Sequence, residues 1–434
     1  ETALNPTKLR SIFDEADLGI CYNYGDFCYG VLWRDGHIYA SDRERRSAVS
    51  GKPFRVHAAN QSDLARSLRD FIQSCVDGID SFDEAMHSLL SAPMVGYSVA
   101  EQVYHEGKKH FIGPAGEQVA LQGMFPRELP WVHAKHFWFD FDRDFPLLDL
   151  GSDGKITLNP DKFIYHRAKG DGIVATRGWM RPVSWLHYFK SNGIRDFSVF
   201  LHLFGIPNIW AQIDRSKWQD PEFRAVLEAA LRDFGQGTPA IIFKDMAVTI
   251  QPPQSGGGSD NVHLPYIGFF NSEISKCIKG ETLTSEAGMS GNSYALSQTH
   301  QDTFYLTVQS DERGLARTME RAFRSWIRVN RIGLQNVFGK TLDELLANTP
   351  LCEHAIEQQT TPKEGAAILS SLVNDLGLQV GESAAYRRFG YSPPAPGERP
   401  LRGRPIVIKD GAIATGTTDA AGGVDNPKNE PERS

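Results

Sequence analysis

The sequence predicts a protein of the α+β class with two or three domains, and three observations support this prediction. Strand-like stretches rich in Val, Tyr, Phe and Trp occupy residues 96–166. Residues 177–336 contain long stretches with apolar side chains at three- and four-residue spacing, the period of amphipathic helices. The chain has 434 residues, enough to bury a substantial core.

The composition limits the classes of function. Hydrophobic residues make up 41% of the chain and aromatic residues 11%, which is typical of globular proteins. No run of eighteen apolar residues occurs, so no membrane span or membrane partner is expected. The formal net charge of −7 disfavours a protein that grips nucleic acid over its whole surface, because tight phosphate binding needs a basic footprint. It is compatible with a protein that DNA slides past.

The cysteines and the start of the sequence give two further expectations. Five scattered cysteines are too few for a disulfide framework, which indicates folding in a reducing cytoplasm. The sequence starts at Glu1 without a basic and then apolar leader, so no signal peptide is expected.

The first 166 residues are predicted to mix helices and strands. Residues 19–40 alternate aromatic and turn residues, which favours short strands or a packed loop cluster. A helix over 62–75 follows an N-cap at Ser62. A second helix begins at Ser81, with Glu84 in position to complete a capping box, and Pro93 and Gly96 end it. Strands are then predicted within 96–105, 117–125, 133–142 and 158–166.

Two helices and an excursion between them are predicted next. The helices cover 177–205 and 261–280, and Gly205 with Pro207 ends the first of them. The excursion, residues 206–260, contains a helix that starts at Asp220-Pro221, a strand candidate near 238–252 and the flexible stretch 255–261.

A loop of small polar residues, 281–296, follows the second helix. Gly288, Gly291, Asn292 and Ser293 keep its backbone loose, so it is expected to project and move. Residues 297–338 then form one long helix or two in tandem, with an apolar stripe from Leu315 to Ile327. The opposite side carries arginines, which can be a solvated basic face, a set of intersubunit ion pairs or a DNA contact. These are Arg313, Arg317, Arg321, Arg324, Arg328 and Arg331.

Two shorter helices and a tail complete the chain. A capping box at Thr341 and Glu344 opens a helix to residue 347, and Thr361-Pro362 opens another to residue 375. Residues 391–434 are rich in Pro, Gly, Thr and Asp and have little periodicity, which predicts an extended or disordered arm.

No catalytic or metal-binding motif in the sequence is complete. FGKT at 338–341 lacks the earlier glycine of a P-loop, because Leu334 occupies that position. Gly288 to Gly291 misses the nucleophile elbow by one residue. The aspartates at 140, 142 and 144 resemble the start of a calcium loop, but Phe145 replaces its glycine and Gly151 its last ligand. The histidines at 133 and 136 have no partner at a zinc-ligand spacing. The sequence therefore predicts no catalytic residue, no metal and no cofactor.

Several segments in order resemble the portal proteins of Mu-like tailed bacteriophages. The first are FDFD at 139–142 and KFIxH at 162–166. An RG turn, an Arg-Pro step, a W-x-x-x-FK helix and an FG-x-P exit follow at 177–178, 181–182, 185–190 and 204–207. ISKxIxGxTLT at 274–284 leads into GxSYA at 291–295 and a histidine at 300. The resemblance covers roughly residues 85–340.

The resemblance implies a phage portal fold assembled as a ring, expected to be a dodecamer. Residues 1–176 would form a mixed α/β wing, 177–205 and 261–280 a two-helix stem, and 206–260 a small α/β clip. Residues 281–296 would be the tunnel loop, 297–338 a long wing helix, 339–390 crown-like helices and 391–434 the arm.

The implied function is mechanical. The ring would occupy one vertex of the virion head, after assembly in the host cytoplasm, and pass double-stranded DNA during packaging and ejection. Its partners would be further copies of itself, the major capsid protein, the large terminase and later a head-tail connector or adaptor.

Candidate residues follow for four regions. The tunnel loop would line the DNA channel with Glu281, Thr282, Thr284, Ser285, Glu286, Met289, Ser290, Asn292 and Ser293. The stem would contribute Lys190, Arg195, Lys276 and Lys279, and the clip would dock through Trp210, Arg215, Lys217, Trp218 and Lys244. Intersubunit contacts would use Arg313, Arg317, Arg321, Arg324 and Arg328.

Two alternatives remain at this point. One is another virion protein, an adaptor or a minor capsid component. The other is a phage DNA-processing enzyme such as a terminase or nuclease, which would need the complete P-loop or carboxylate cluster that the sequence lacks.

Overall fold

The computed structural model describes most of the chain, in two units. The described residues are 5–140, 143–151, 154–204, 210–233, 240–243, 260–281, 294–356, 362–377 and a few short pieces up to 413. The first unit covers residues 1–357 and the second residues 358–434. Helices and strands both occur in the first unit, so the predicted α+β class is confirmed.

Three helices open the first unit: α1 (Pro6–Asp17), α2 (Tyr22–Arg34) and α3 (Gly36–Ser50). The side chain of Asp35 accepts hydrogen bonds from the backbone N–H groups of His37 and Ile38 and so caps α3. The prediction of strands or loops over 19–40 is wrong, because α2 and α3 occupy most of that range. Tyr24 and Cys28, four residues apart, are both fully buried, so the buried side chains follow a helical period rather than an alternating one.

One strand and three helices follow. Strand β1 (Phe54–His57) precedes α4 (Asp63–Val76), whose first turn is capped by Ser62 as predicted. Helix α5 (Phe82–Leu89) forms as predicted, but Ser81 has a left-handed backbone with φ of 54° and makes no side-chain cap. A further short helix, α6 (Ala92–Val95), contains Pro93 and ends at Gly96 with φ of 114°.

The strands form small antiparallel groups rather than one continuous sheet. The strands are β2 (Tyr97–Glu101), β3 (Val103–Ile112), β4 (Gln118–Glu128), β5 (Trp131–Val132), β6 (Phe137–Asp140), β7 (Arg143–Asp149), β8 (Lys155–Thr157) and β9 (Phe163–Arg167). Strand β2 is central in a three-stranded sheet, between β5 and β9, and β3 and β4 form a ten-pair hairpin. A second three-stranded sheet has the order β6-β7-β8.

Helices dominate the rest of the first unit. A parallel pair of short strands, β10 with β11, lies in the predicted excursion. Strand β12 pairs antiparallel with β1 and so joins positions about 300 residues apart. The elements are α7 (Met180–Phe204), β10 (Trp210–Ile213), α8 (Arg215–Trp218), α9 (Pro221–Asp233), β11 (Ala240–Phe243), α10 (Asp260–Lys279), α11 (Tyr294–Val329), α12 (Arg331–Phe338), α13 (Leu342–Ala347) and β12 (Leu351–His354).

The long helix after the loop is two helices in tandem. Helix α11 has 36 residues, and Asn330 separates it from α12. Asn330 is buried and exchanges hydrogen bonds with the backbone of Met124 on β4, which fixes the break against the β3–β4 hairpin. Gly339, with φ of 61°, ends α12, and the predicted capping box of Thr341 and Glu344 opens α13.

Two hydrophobic clusters form the interior of the first unit. The first contains α4, α5, the β3–β4 hairpin and the apolar side of α11, with Phe71, Phe125 and Trp326 fully buried. The second contains α1, α2, β2, β6 and the start of α7, with Tyr24 and Tyr97 fully buried. The wing prediction grouped residues 1–176, but their core is completed by α11, which comes much later in the chain.

The second unit contains α14 (Pro362–Asn374) and a two-residue antiparallel pair, β13 (Ile408–Lys409) with β14 (Ala412–Ile413). The predicted crown grouped residues 339–390, whereas Leu345 of α13 belongs to the first hydrophobic cluster and α14 to the second unit. Most of the predicted arm, residues 391–434, lies outside the described residues.

Candidate functional site

Helices α7 and α10 form a close antiparallel pair. The rings of Phe189 and Phe270 lie 6.3 Å apart, and those of Phe197 and His263 lie 5.0 Å apart. Residue numbers therefore increase along one helix while those of its contacts decrease along the other, so the helices are antiparallel. Gly193 lies between these contacts, and a Cβ there would come 2.3 Å from the ring of Tyr266. The absence of a side chain at Gly193 therefore allows the two helices to approach.

The helix pair has an exposed apolar flank. Large apolar side chains on both helices are between 40% and 58% exposed, although a helix that only supports a core would bury them. Exposed apolar side chains of this size along a helix pair are typical of surfaces that pack against another subunit. These side chains, together called the apolar flank, are Phe189, Ile194, Val199, Leu201, Leu264, Tyr266 and Phe269.

A buried ionic cluster fixes α7 to the N-terminal helices. The carboxylate of Asp35 accepts hydrogen bonds from Nζ of Lys190 at 2.8 and 2.9 Å, and Nδ1 of His187 lies 2.9 Å from it. Asp35 and Lys190 are both buried. Burial alone would raise the pKa of Asp35, but the hydrogen bonds from His187 and Lys190 and the charge of Lys190 outweigh it, so the pKa lies well below its ordinary value.

A second set of contacts fixes the end of α10. Nζ of Lys279 is paired with Glu44 of α3, and Nε2 of His37 lies 2.8 Å from Oγ of Ser275. Arg45 of α3 pairs with Asp311 of α11 at 2.7 Å and donates to the carbonyl of Ile278. Helix α3 therefore links α7, α10 and α11 through polar contacts.

The four predicted stem residues divide into two kinds. Lys190 and Lys279 are buried and neutralised by Asp35 and Glu44, so within one subunit their charges are not on the surface. Arg195 and Lys276 are on the surface, next to Asp196 and Glu273. The acidic partners could not be predicted from the sequence, because their only local signal is that of an N-cap, at the Asp35-Gly36 step before α3.

The loop after α10 begins at a glycine with a left-handed backbone. Gly280 has φ of 82°, and a Cβ there would meet Thr307 and Thr303 of α11 at 3.5 and 3.7 Å. Glu281 was predicted to line the DNA channel with the rest of the loop. In the structure it is only 3% exposed, so it belongs to the interior of the subunit. The other predicted tunnel-loop residues, from Thr282 to Ser293, lie outside the described residues.

The arginine side of α11 borders a groove of about 540 Å³ against strand β9. Phe163, Tyr165 and Ala322 provide its apolar lining, and Arg321, Arg324 and Arg328 its basic lining. Arg328 forms an ion pair with Asp161, and Arg321 donates to Oγ1 of Thr318 at 3.0 Å. Burial, and then the charge of Arg167, lower the pKa of Arg321.

The remaining predicted site residues lie on α11 and in the excursion. Arg313 and Arg317 are exposed on α11. In the excursion, Lys217 is exposed and the ring of Trp218 carries the guanidinium of Arg224 at 4.5 Å. For Trp210 and Arg215 the structure describes only the backbone, and Lys244 lies outside the described residues.

Potential metal ligands are scattered among the described residues, and the cysteines are buried or half-buried. The described residues contain no group of three His, Cys, Asp or Glu side chains arranged to hold a metal ion. Cys21 and Cys75 are buried free thiols, and burial raises the pKa of each to about 12, so neither is a reactive thiolate. No described helix is long and apolar enough to cross a membrane.

These features are typical of a subunit that packs against other subunits. Comparison with known families gives its identity: residues 28–391 match the family described as the portal protein of Mu bacteriophage. The chain belongs to this family, and the predicted resemblance is confirmed.

Two curated relatives support the assignment. The chain is 25% identical over 322 residues to the portal protein of Escherichia phage Mu, an alignment that covers 74% of this chain and 60% of that protein. It is 23% identical over 326 residues to the Mu-like prophage FluMu protein gp29 of Haemophilus influenzae, covering 74% and 59%. The chain thus spans about three fifths of the length of these relatives.

Two solved structures are similar at low identity. A chain of the virion of a native gene transfer agent particle is 12% identical with a TM-score of 0.48, covering 90% of this chain and 95% of that chain. A chain of the neck of an empty gene transfer agent particle is 13% identical with a TM-score of 0.47, covering 84% and 94%.

Proposed function

We propose that the chain forms a twelve-membered portal ring at one vertex of a phage head and that DNA passes through the ring. Membership of the Mu portal family supports this proposal. The observation that carries it is the exposed apolar flank of the α7–α10 pair, because packing against a neighbouring subunit would remove these large apolar side chains from water. Side-by-side packing of twelve such pairs would cover the flank and build a stem.

The ion pairs that hold α7, α10 and α11 to α3 suit a mechanical role. The Asp35–Lys190 and Glu44–Lys279 pairs and the contacts of Arg45 hold both stem helices and α11 to α3. Residues 282–293 leave the end of α10 and return to α11, so both ends of the proposed tunnel loop are attached to this linked set of helices. Such an arrangement would fix the two ends of the loop while the loop itself moves around the passing DNA.

The chemistry of the loop suits passage rather than binding. Its residues are mainly small and uncharged, such as Thr284, Ser290 and Asn292, and make weak contacts that do not depend on DNA sequence. The net charge of −7 on every subunit would repel phosphate and prevent DNA from adhering to the channel.

The proposed partners follow from the regions of the fold. Residues 206–260, with Lys217 and Trp218 on the described surface, would dock the large terminase during packaging and a head-tail connector afterwards. The wing would contact the major capsid protein. The ring would assemble in the host cytoplasm, and no enzymatic activity is proposed for it.

Particle mass and shape test the proposal. Mass photometry and negative-stain imaging of the purified chain should show a ring with a central hole and a mass near twelve times the 48.3 kDa subunit. Replacing Leu264 and Phe269 of the apolar flank by Ser should lower the ring fraction. Replacing the exposed Ile332 of α12 by Ser is the matched control and should leave it unchanged. A stable monomer with nuclease or ATPase activity would contradict the proposal.

A further inference from the structure

The groove between β9 and α11 combines an apolar lining with crowded positive charge. Arg321, Arg324 and Arg328 lie within two turns of one helix, and of these Arg328 has an ion pair with Asp161. Arg167 also lines the groove and its charge opposes that of Arg321, while the charge of Glu320 partly offsets it. Like charges gathered on one lining cost free energy unless an anion faces them, so the groove is suited to an acidic partner.

A complementary surface exists elsewhere on the same chain, at the corner between α1 and α2. Asp14 is exposed and Glu15 is next to it, and the Nδ2 group of Asn23 donates to Glu15 at 2.7 Å, which holds the two helices together. Beside them Leu18 is 58% exposed and Tyr22 53% exposed. The corner therefore presents carboxylates beside apolar side chains, as the groove presents guanidinium groups beside apolar side chains.

The two surfaces are formed by different elements, the groove by β9 and α11 and the corner by α1 and α2. In the groove, Ile164 and Ala322 belong to the first hydrophobic cluster and Phe163 and Tyr165 pack against the second, to which Leu9 and Tyr24 of the first two helices belong. A ring needs two different, complementary patches on each subunit, so that one subunit's first patch meets its neighbour's second patch. The groove and the corner meet this requirement.

We infer that the arginine groove of one subunit binds the α1–α2 corner of the next copy of this chain. Asp14 and Glu15 of the neighbour would face Arg321 and Arg324, and Leu18 and Tyr22 would cover the apolar lining. This inference rests on the proposed ring. The groove and the corner would form a contact between neighbouring subunits outside the stem.

A protein partner fits these observations better than DNA. The planar guanidinium group binds a carboxylate through two parallel hydrogen bonds, and all the cations of the α11 lining are arginines. Phe163, Tyr165 and Ala322 give the same groove an apolar lining, which a protein side chain matches better than a phosphate backbone does. The chain itself is acidic, with a net charge of −7, so a second copy can provide the carboxylates that face the arginines.

Charge reversal tests the pairing. The variants are Arg321→Glu with Arg324→Glu in the groove, and Asp14→Arg with Glu15→Arg in the corner. Each pair should raise the concentration at which rings form by about tenfold or more, because like charges then face each other. Mixing the two variants should restore rings, since every contact again joins opposite charges. Arg55→Glu on β1 with Arg66→Glu on α4, where both arginines are exposed, is the matched control and should assemble like the wild type.

The outcomes separate this inference from the proposed function. Rings that tolerate both reversals, or single variants that fail and are not rescued by mixing, overturn the pairing while the portal ring stands. Reversal in the groove that leaves rings intact but lowers retention of duplex DNA assigns the groove to DNA and also overturns the pairing. A wild-type chain that never forms rings overturns both proposals. Circular dichroism of each variant verifies that its subunit is folded.

Discussion

Replacement of Asp35 tests how the stem helices are fixed. Asp35 caps α3 and is the buried counter-ion of Lys190, so Asp35→Ala removes both contributions. Removing one partner of a buried ion pair costs about 3–5 kcal/mol, and loss of an N-cap about 0.5–2 kcal/mol. Asp35→Asn keeps a capping side chain and isolates the charge, so we expect it to lower the free energy of unfolding by about 3 kcal/mol.

The double variant Asp35→Asn with Lys190→Met decides whether the uncompensated cation causes this loss. Without Lys190 no buried charge is left unpaired, so the double variant should recover at least about 2 kcal/mol relative to the sum of the single changes. Urea unfolding followed by circular dichroism, at one fixed protein concentration, measures these differences. The matched control is Arg66→Ala in the exposed Arg66–Asp63 pair, which should change stability by less than about 0.5 kcal/mol.

The pH dependence gives an independent measure. Because the pKa of folded Asp35 is lowered, its contribution is fully present above the unfolded pKa of about 4 and is lost as the pH falls below that value. Asp35→Asn should remove this part of the acid sensitivity. If Asp35→Asn stays within about 0.5 kcal/mol of the wild type, or the two changes are additive, the argument for a buried pair is refuted.

Three further predictions concern the loop, the helix pair and a buried histidine. Deletion of 284–292 should leave rings intact but reduce packaged DNA, measured by virion yield; normal yield would remove the role proposed for the loop. Gly193→Val should lower the free energy of unfolding by about 2 kcal/mol because the new side chain meets Tyr266, whereas Gly268→Val, which has open space, should not. Burial lowers the pKa of His166 to about 3, so its protonation on unfolding should cost the wild type about 2 kcal/mol of stability between pH 7 and pH 5. His166→Gln should flatten this part of the stability profile; an unchanged profile would show that other groups cause it.

Local sequence signals determined much of the secondary structure. The caps at Ser62 and Thr341 and the stop at Gly339 act within one helical turn, so their positions could be predicted directly. The apolar stripe of α11 likewise predicted its buried face, because a period of 3.6 residues places those side chains on one side. The family could be recognised because its motifs occur in order along the chain.

Tertiary structure decided which charged residues remain on the surface. Lys190 and Lys276 look alike in the sequence, yet one is buried against Asp35 and the other is exposed, since the partner lies 155 residues away. The same holds for Glu281, which a polar loop sequence placed on the surface and the packing of the subunit buries. Aromatic residues in 19–40 could satisfy either period, and contact with the second hydrophobic cluster selected the helix. The sequence by itself thus determined the helices whose caps and apolar stripes depend on neighbouring residues. The ionic links, the exposed flank and the arginine groove depend on contacts between distant segments, which only the tertiary structure decides.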